Sequence, residues 1–168
     1  MKEKLGAVFK LLENQIQVEN RDRLISGSPA ISRSRIEILG QTSLLIQPEL
    51  TYGLSLAQTG DLHAVLRADH FVKQSLKKIL PTYGFIYDED SPLIFIPEQS
   101  RFFPFLNLSM LEVVVIDPES ALVSKAVKAP EKNIQLIRQA IASNEFPSLV
   151  ERIIKAGGDL KKFTYGDI

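Results

Sequence analysis

Between Arg35 and Leu66 the chain runs through a short apolar stretch, a glycine, a helix-compatible stretch and a second apolar stretch, an order that leaves few folds open. Residues 36–39 read as a buried strand ending at Gly40. Residues 42–50 suit a helix that Pro48 and Gly53 break, and residues 56–66 read as a second strand. A strand that turns into a helix and returns as a strand buries one sheet face under that helix. The expected class is therefore α/β or α+β, a mixed β-sheet with helices packed on it.

The flanking segments extend this plan. Leu5, Val8, Phe9, Leu12 and Ile16 fall at helical spacing, so residues 2–18 form an amphipathic packing helix with Lys4, Lys10, Glu13 and Asn14 on its polar face. Residues 20–34, polar and punctuated by Gly27 and Pro29, read as a loop. Asp69 caps a helical stripe of Phe71, Val72, Leu76, Ile79 and Leu80, which Pro81 and Gly84 stop. Residues 85–87 and 93–96 flank an acidic turn and predict a hairpin; residues 106–116 supply a further strand. At Asp117 the pattern becomes helical, because an aspartate cap precedes Pro118 at the first helical position and Glu119 in the first turn. Ile134, Leu136, Ile137, Ala140 and Ile141 mark another helix, and Phe146, Leu149, Val150, Ile153 and Ile154 a third that stops at Gly157-Gly158. The expectation is one domain over residues 1–168: a sheet core with its N-terminal helix over 1–116, and a helical C-terminal tail over 117–168.

Composition removes several classes of function. The chain contains no cysteine, which excludes disulfide scaffolds, thiolate metal sites and cysteine nucleophiles, and makes a reducing cytoplasm the natural setting. Its 20 basic and 20 acidic residues cancel, so no bulk positive field draws nucleic acid. The start interleaves charge with apolar residues unlike a signal peptide, and apolar runs such as 111–116 are of strand length, so neither secretion nor a membrane partner is expected.

The residues able to do chemistry gather on the strand-glycine-helix-strand unit. Gly40, Gln41, Thr42 and Ser43 stand where a strand gives way to a helix, and Thr59-Gly60-Asp61-Leu62-His63 stands on the second strand. This arrangement resembles the core of the nucleotidyltransferase superfamily, whose members carry a Gly-Gly or Gly-Ser turn and an Asp-x-Asp or Asp-x-Glu pair. Gln41 replaces the second small residue of that turn, and His63 replaces the second carboxylate. Residues 117–133 are similar to a segment of uncharacterised bacterial members related to AbiEii-type toxins, with Lys125 matching the family lysine and Asn133 replacing its usual Asp. The resemblance covers roughly residues 33–165.

It implies transfer of a nucleotidyl group from an NTP to a hydroxyl, with Mg²⁺ or Mn²⁺ as cofactor. Asp61 and His63 would be the catalytic and metal-binding pair, since alternate residues of a strand share a face, and Glu112 the third metal ligand. Gly40, Gln41, Thr42, Ser43 and Lys125 would hold the phosphates, the first four as a helix-start cradle. An imidazole is a poorer Mg²⁺ ligand than a carboxylate. The alternative is therefore an inactive nucleotide- or partner-binding module, as in a toxin-antitoxin-like pair. A strand-to-helix turn needing only glycine's freedom is the plain alternative for Gly40, and a solvated helix lysine the plain alternative for Lys125. Finally, Phe102, Phe103 and Phe105 beside Arg101 must be buried somewhere, and a two-fold homodimer interface is one place for them.

Overall fold

In the computed structural model, which describes residues 1–164, a four-stranded mixed sheet carries helices on both faces. Helix α1 (Lys2–Ser26) leads into β1 (Ser34–Ile38), followed by α2 (Gly40–Leu45), α3 (Pro48–Thr51), β2 (Asp61–Leu62), β3 (Ala64–Arg67), α4 (His70–Ile79) and β4 (Ile86–Tyr87). The hairpin β5 (Phe102–Asn107) and β6 (Leu111–Ile116) precedes α5 (Pro118–Lys128), α6 (Ile134–Ser143), α7 (Leu149–Lys155) and α8 (Lys161–Thr164). The main sheet has the order β3-β1-β6-β5, with β1 parallel to β6 and the outer pairs antiparallel; β2 and β4 form a separate parallel pair. The expected α+β class holds. The expected C-terminal tail is helical as far as it is described, and its residues 165–168 lie outside the described residues.

Alternation along the strands divides the interior in two. Ile36, Ile38, Val113 and Val115 face α1 and α4, where they meet Leu5, Phe9, Leu12, Ile16, Val72 and Leu76. On the other face Ile116, Leu122, Val123, Ile137, Leu149, Ile153 and Phe163 form a second core, to which Leu39 and Leu44 contribute. Asp117 fixes the start of α5 as expected: its carboxylate accepts from Ser120 N–H (2.9 Å) and Ser120 Oγ (2.6 Å), and also from Arg101 N–H (2.8 Å). Arg152 of α7 joins this cap through Ser120 Oγ (2.8 Å) and Glu119 (3.1 Å), and holds the carbonyl of Glu98 (3.1 Å).

Five local expectations are corrected. Residues 20–26 continue α1 rather than looping: the segment is polar because solvent surrounds it, an i,i+4 pair links Glu19 and Arg23 (3.0 Å), and Gly27 closes the helix in the left-handed conformation. Glu13 is not on a solvated face; it is buried and accepts from Met110 N–H at the β5–β6 turn (2.9 Å). The 85–96 hairpin does not form, because Ile86–Tyr87 pairs in parallel with Asp61–Leu62 and Pro92 opens a short 3₁₀ turn over Ser91–Leu93. The 56–66 strand is interrupted: β2 pairs with β4 and β3 with β1, so the chain changes partners at His63. The single strand expected over 106–116 is the second half of a hairpin whose outer strand tolerates Pro104 because it lies at the sheet edge. Phe102 packs into the second core, and Phe105 meets Phe9 edge-to-face at 6.2 Å in the first.

Candidate functional site

The change of partners at His63 and the end of β1 fall at the same corner. Leu39 N–H donates to the His63 carbonyl (2.8 Å), which brings the Gly40 turn against the β2–β3 junction. Gly40 has φ +58°, and a Cβ there would lie 3.2 Å from both Cβ and Cγ of His63, so glycine is needed for conformation and for close approach together. The parallel β2–β4 pair then carries Asp88 to the same corner: its N–H donates to the Leu62 carbonyl (3.0 Å), and its Oδ2 lies 3.3 Å from His63 Nε2.

His63 is thus held at both ring nitrogens. Nδ1 lies 3.1 Å from Thr42 Oγ1, and Nε2 faces Asp88. Thr42, His63 and Asp88 have the order of a nucleophile, base and orienting acid, but Thr42 is 1% exposed and its hydroxyl donates to the Asp61 carbonyl at 2.8 Å. The trio is therefore a structural lock on the Gly40 corner. Burial pushes the His63 pKa down; Asp88 and Asp61 oppose this, and Lys125 adds to it.

A cleft of about 530 Å³ opens beside the lock. One wall comprises Gly40, Gln41 and His63 with Asp88, Asp90 and residues 93–95; the other comprises Ala121, Ser124, Lys125 and Lys128 of α5 with Lys132 and Asn133 beyond it. Lys125 is half-buried, and burial lowers its pKa. Among the described residues none of Lys125, Lys128 and Lys132 is in an ion pair, and the Lys128 ammonium sits 5.1 Å from the centre of the Phe95 ring. Three lysines face two aspartates there, and Asp88 is already engaged by His63. The cleft's free charge is positive.

The residues expected to act divide unevenly over this geometry. Gly40, Gln41, His63 and Lys125 line the cleft together. Asp61 is exposed on β2 and does not line it. Thr42 and Ser43 are buried, and their hydroxyls turn inward, Ser43 Oγ donating to the Gly40 carbonyl (2.6 Å). Those hydroxyls cannot serve a phosphate cradle. Gln41 spends its amide on the Ala57 carbonyl (2.7 Å). Glu112 is near the start of β6, opposite Arg35 in register and paired with it (3.0 Å), whereas the cleft lies beyond the end of the parallel β1.

The metal set expected from Asp61, His63 and Glu112 is therefore not assembled: one member is at the far end of the sheet, and the imidazole's nitrogens are both taken. Among the described residues no group of three His, Asp or Glu side chains is gathered to hold a metal ion. This donor set does not fit Mg²⁺ or Mn²⁺. The residues missed were Asp88, Asp90, Lys128 and Lys132. The acidic run Asp88-Glu89-Asp90 was visible, but the hairpin reading made it a turn tip. Lys128 lies three residues after Lys125 on α5, the signal of one helical face, whereas Lys132 lies beyond the end of that helix, after Pro130. No family model, curated protein or solved structure matches this chain.

Proposed function

We propose that the chain is a nucleotide-binding module of nucleotidyltransferase-like build, which holds the phosphates of an NTP against Lys125, Lys128 and Lys132. One observation carries this reading: a half-buried lysine with no carboxylate partner among the described residues lines a cleft that two more lysines and the Gly40 turn also line. Burying part of an ammonium without a counter-ion costs stability, and an anionic ligand offsets that cost. The order of strand, glycine turn, helix and returning strand agrees with the resemblance. Binding is favoured over nucleotidyl transfer because Asp61, His63 and Glu112 do not converge on one point.

Equilibrium dialysis with ATP tests the reading. The parent should bind, and a variant with Lys125, Lys128 and Lys132 all changed to Ala should lose at least about tenfold in affinity, since a hydrogen bond to a charged group contributes about 1.5–3 kcal/mol. Equal binding by parent and variant, or none by the parent, would refute it.

A further inference from the structure

Lys77, Lys155 and Lys162 each hold a glutamate carboxylate, which favours the charged ammonium. Lys125 differs from them. It has no carboxylate partner among the described residues, is half-buried on α5, and lines the cleft of about 530 Å³ together with the exposed Lys128 and Lys132. We infer that Lys125 is a nucleophilic lysine that acyl phosphates acylate, with Lys128 and Lys132 holding the phosphate while the amine attacks the acyl carbon. This rests on the reading of the cleft as a phosphate site, and adds to it a covalent step that closes the site.

Such a reaction needs a free amine, a hold on the leaving group and room for the acyl group. Burial lowers the Lys125 pKa, so more of its amine is unprotonated at neutral pH than in a solvated lysine, and only that form carries the lone pair that attacks. The charged and titratable groups around it are Lys128 and Lys132 on its own side of the cleft, and His63, Asp88 and Asp90 on the facing wall, where His63 Nε2 and Asp88 Oδ2 engage each other at 3.3 Å. The positive charge left over attracts the phosphate group. Leu93, Ile94 and Phe95 on the facing wall offer apolar surface to the acyl group.

The step balances with the acyl phosphate as its one co-reactant. The Lys125 nitrogen forms a bond to the carbonyl carbon, the bond from that carbon to the phosphate oxygen breaks, phosphate leaves with the electron pair, and one proton passes from nitrogen to solvent. The product is a neutral amide. One of the three cations of the cleft is thereby lost, so the acylated chain holds phosphates less tightly.

Acetyl phosphate incubated with the full chain, followed site by site with peptide mass spectrometry, tests this. Lys125 should acetylate at least about tenfold faster than the exposed Lys10 of α1, because a docked phosphate makes the attack intramolecular. Inorganic tripolyphosphate should suppress that advantage, and changing both Lys128 and Lys132 to Ala should remove it; the two side chains are exposed, so the double variant folds. Chain acetylated at Lys125 alone should bind tripolyphosphate about tenfold more weakly in calorimetry, the loss of one charge-assisted hydrogen bond. Acetylation of Lys125 no faster than that of Lys10, an advantage that survives the double substitution, or an acetylated chain that binds tripolyphosphate as before would overturn the inference, while tripolyphosphate binding by the unmodified chain still upheld the phosphate site. A parent that binds neither tripolyphosphate nor ATP would overturn both.

Discussion

Replacing Lys125 with Met separates a ligand-binding lysine from a structural one, because the two roles predict opposite signs. Lys125 has a half-buried ammonium with no ion pair among the described residues, and its pKa is lowered by burial. A lysine with a lowered folded pKa destabilises the native state where it is charged there, and the penalty is relieved as pH rises through the folded pKa towards the unfolded value. At neutral pH the penalty is in force. Methionine keeps the length and most of the apolar stem without the charge, so Lys125→Met should raise stability by about 1 kcal/mol, within the range of substitutions that relieve a functional site. For a chain of this size that is a rise in Tm of about 2–4 °C. The gain should shrink as pH is raised into the alkaline range. ATP affinity should fall about ten- to hundredfold, the loss of one charge-assisted hydrogen bond. Thermal unfolding from neutral to alkaline pH, paired with calorimetry, reads both. A variant that is less stable and binds as tightly as the parent would refute the reasoning and make Lys125 a packing residue.

Three further outcomes follow from the site and its supports. Gly40→Ala should cost about 1–2 kcal/mol for the left-handed backbone alone, and more from crowding of His63, whose ring is pinned between Thr42 and Asp88; urea denaturation showing no loss would mean that the turn relaxes freely. Asp117→Ala removes a cap worth about 1 kcal/mol and strands the Arg101 N–H and the Ser120 hydroxyl, so a total loss of about 3 kcal/mol is expected; a urea midpoint near the parent's would contradict it. The His63 pKa is lowered below 6.5, chiefly by burial, so between the folded and unfolded values the unfolded chain binds more protons and stability falls as pH drops through that window. An NMR titration of the His63 ring should give a midpoint below 6.5, and a midpoint above it would show that Asp88 outweighs burial.

The legible parts of the fold were those that local chemistry decides. Asp69 and Asp117 cap helices as their sequence context required, and the apolar stripes of α1, α4 and α6 face the core. What failed depended on long-range pairing. Nothing local in Ile86–Tyr87 shows that it pairs with Asp61–Leu62 rather than with its own downstream neighbours. That one error hid Asp88 and, with it, the second hold on His63. The phosphate cradle failed at Thr42 and Ser43 for a related reason: a hydroxyl turned to a carbonyl within its own corner looks the same in sequence as one turned to a ligand. Glu112 failed on direction, because the parallel pairing of β1 and β6 places it at the opposite end of the strand from Gly40. Lys125 was legible through the resemblance and gained two neighbours: Lys128, which helical spacing alone could have supplied, and Lys132, which lies past Pro130 where helical spacing no longer applies.

The central claim is that an anionic nucleotide occupies the cleft between the Gly40 corner and α5. Backbone amide NMR of the labelled chain, titrated with ATP, tests it most directly. The account predicts that the largest shifts fall on Gly40, Gln41, His63, Lys125, Lys128 and Lys132, saturate together, and vanish in the triple lysine variant. Shifts that cluster instead around Arg35 and Glu112 at the other end of the sheet, or a spectrum that does not change with ATP, would contradict it.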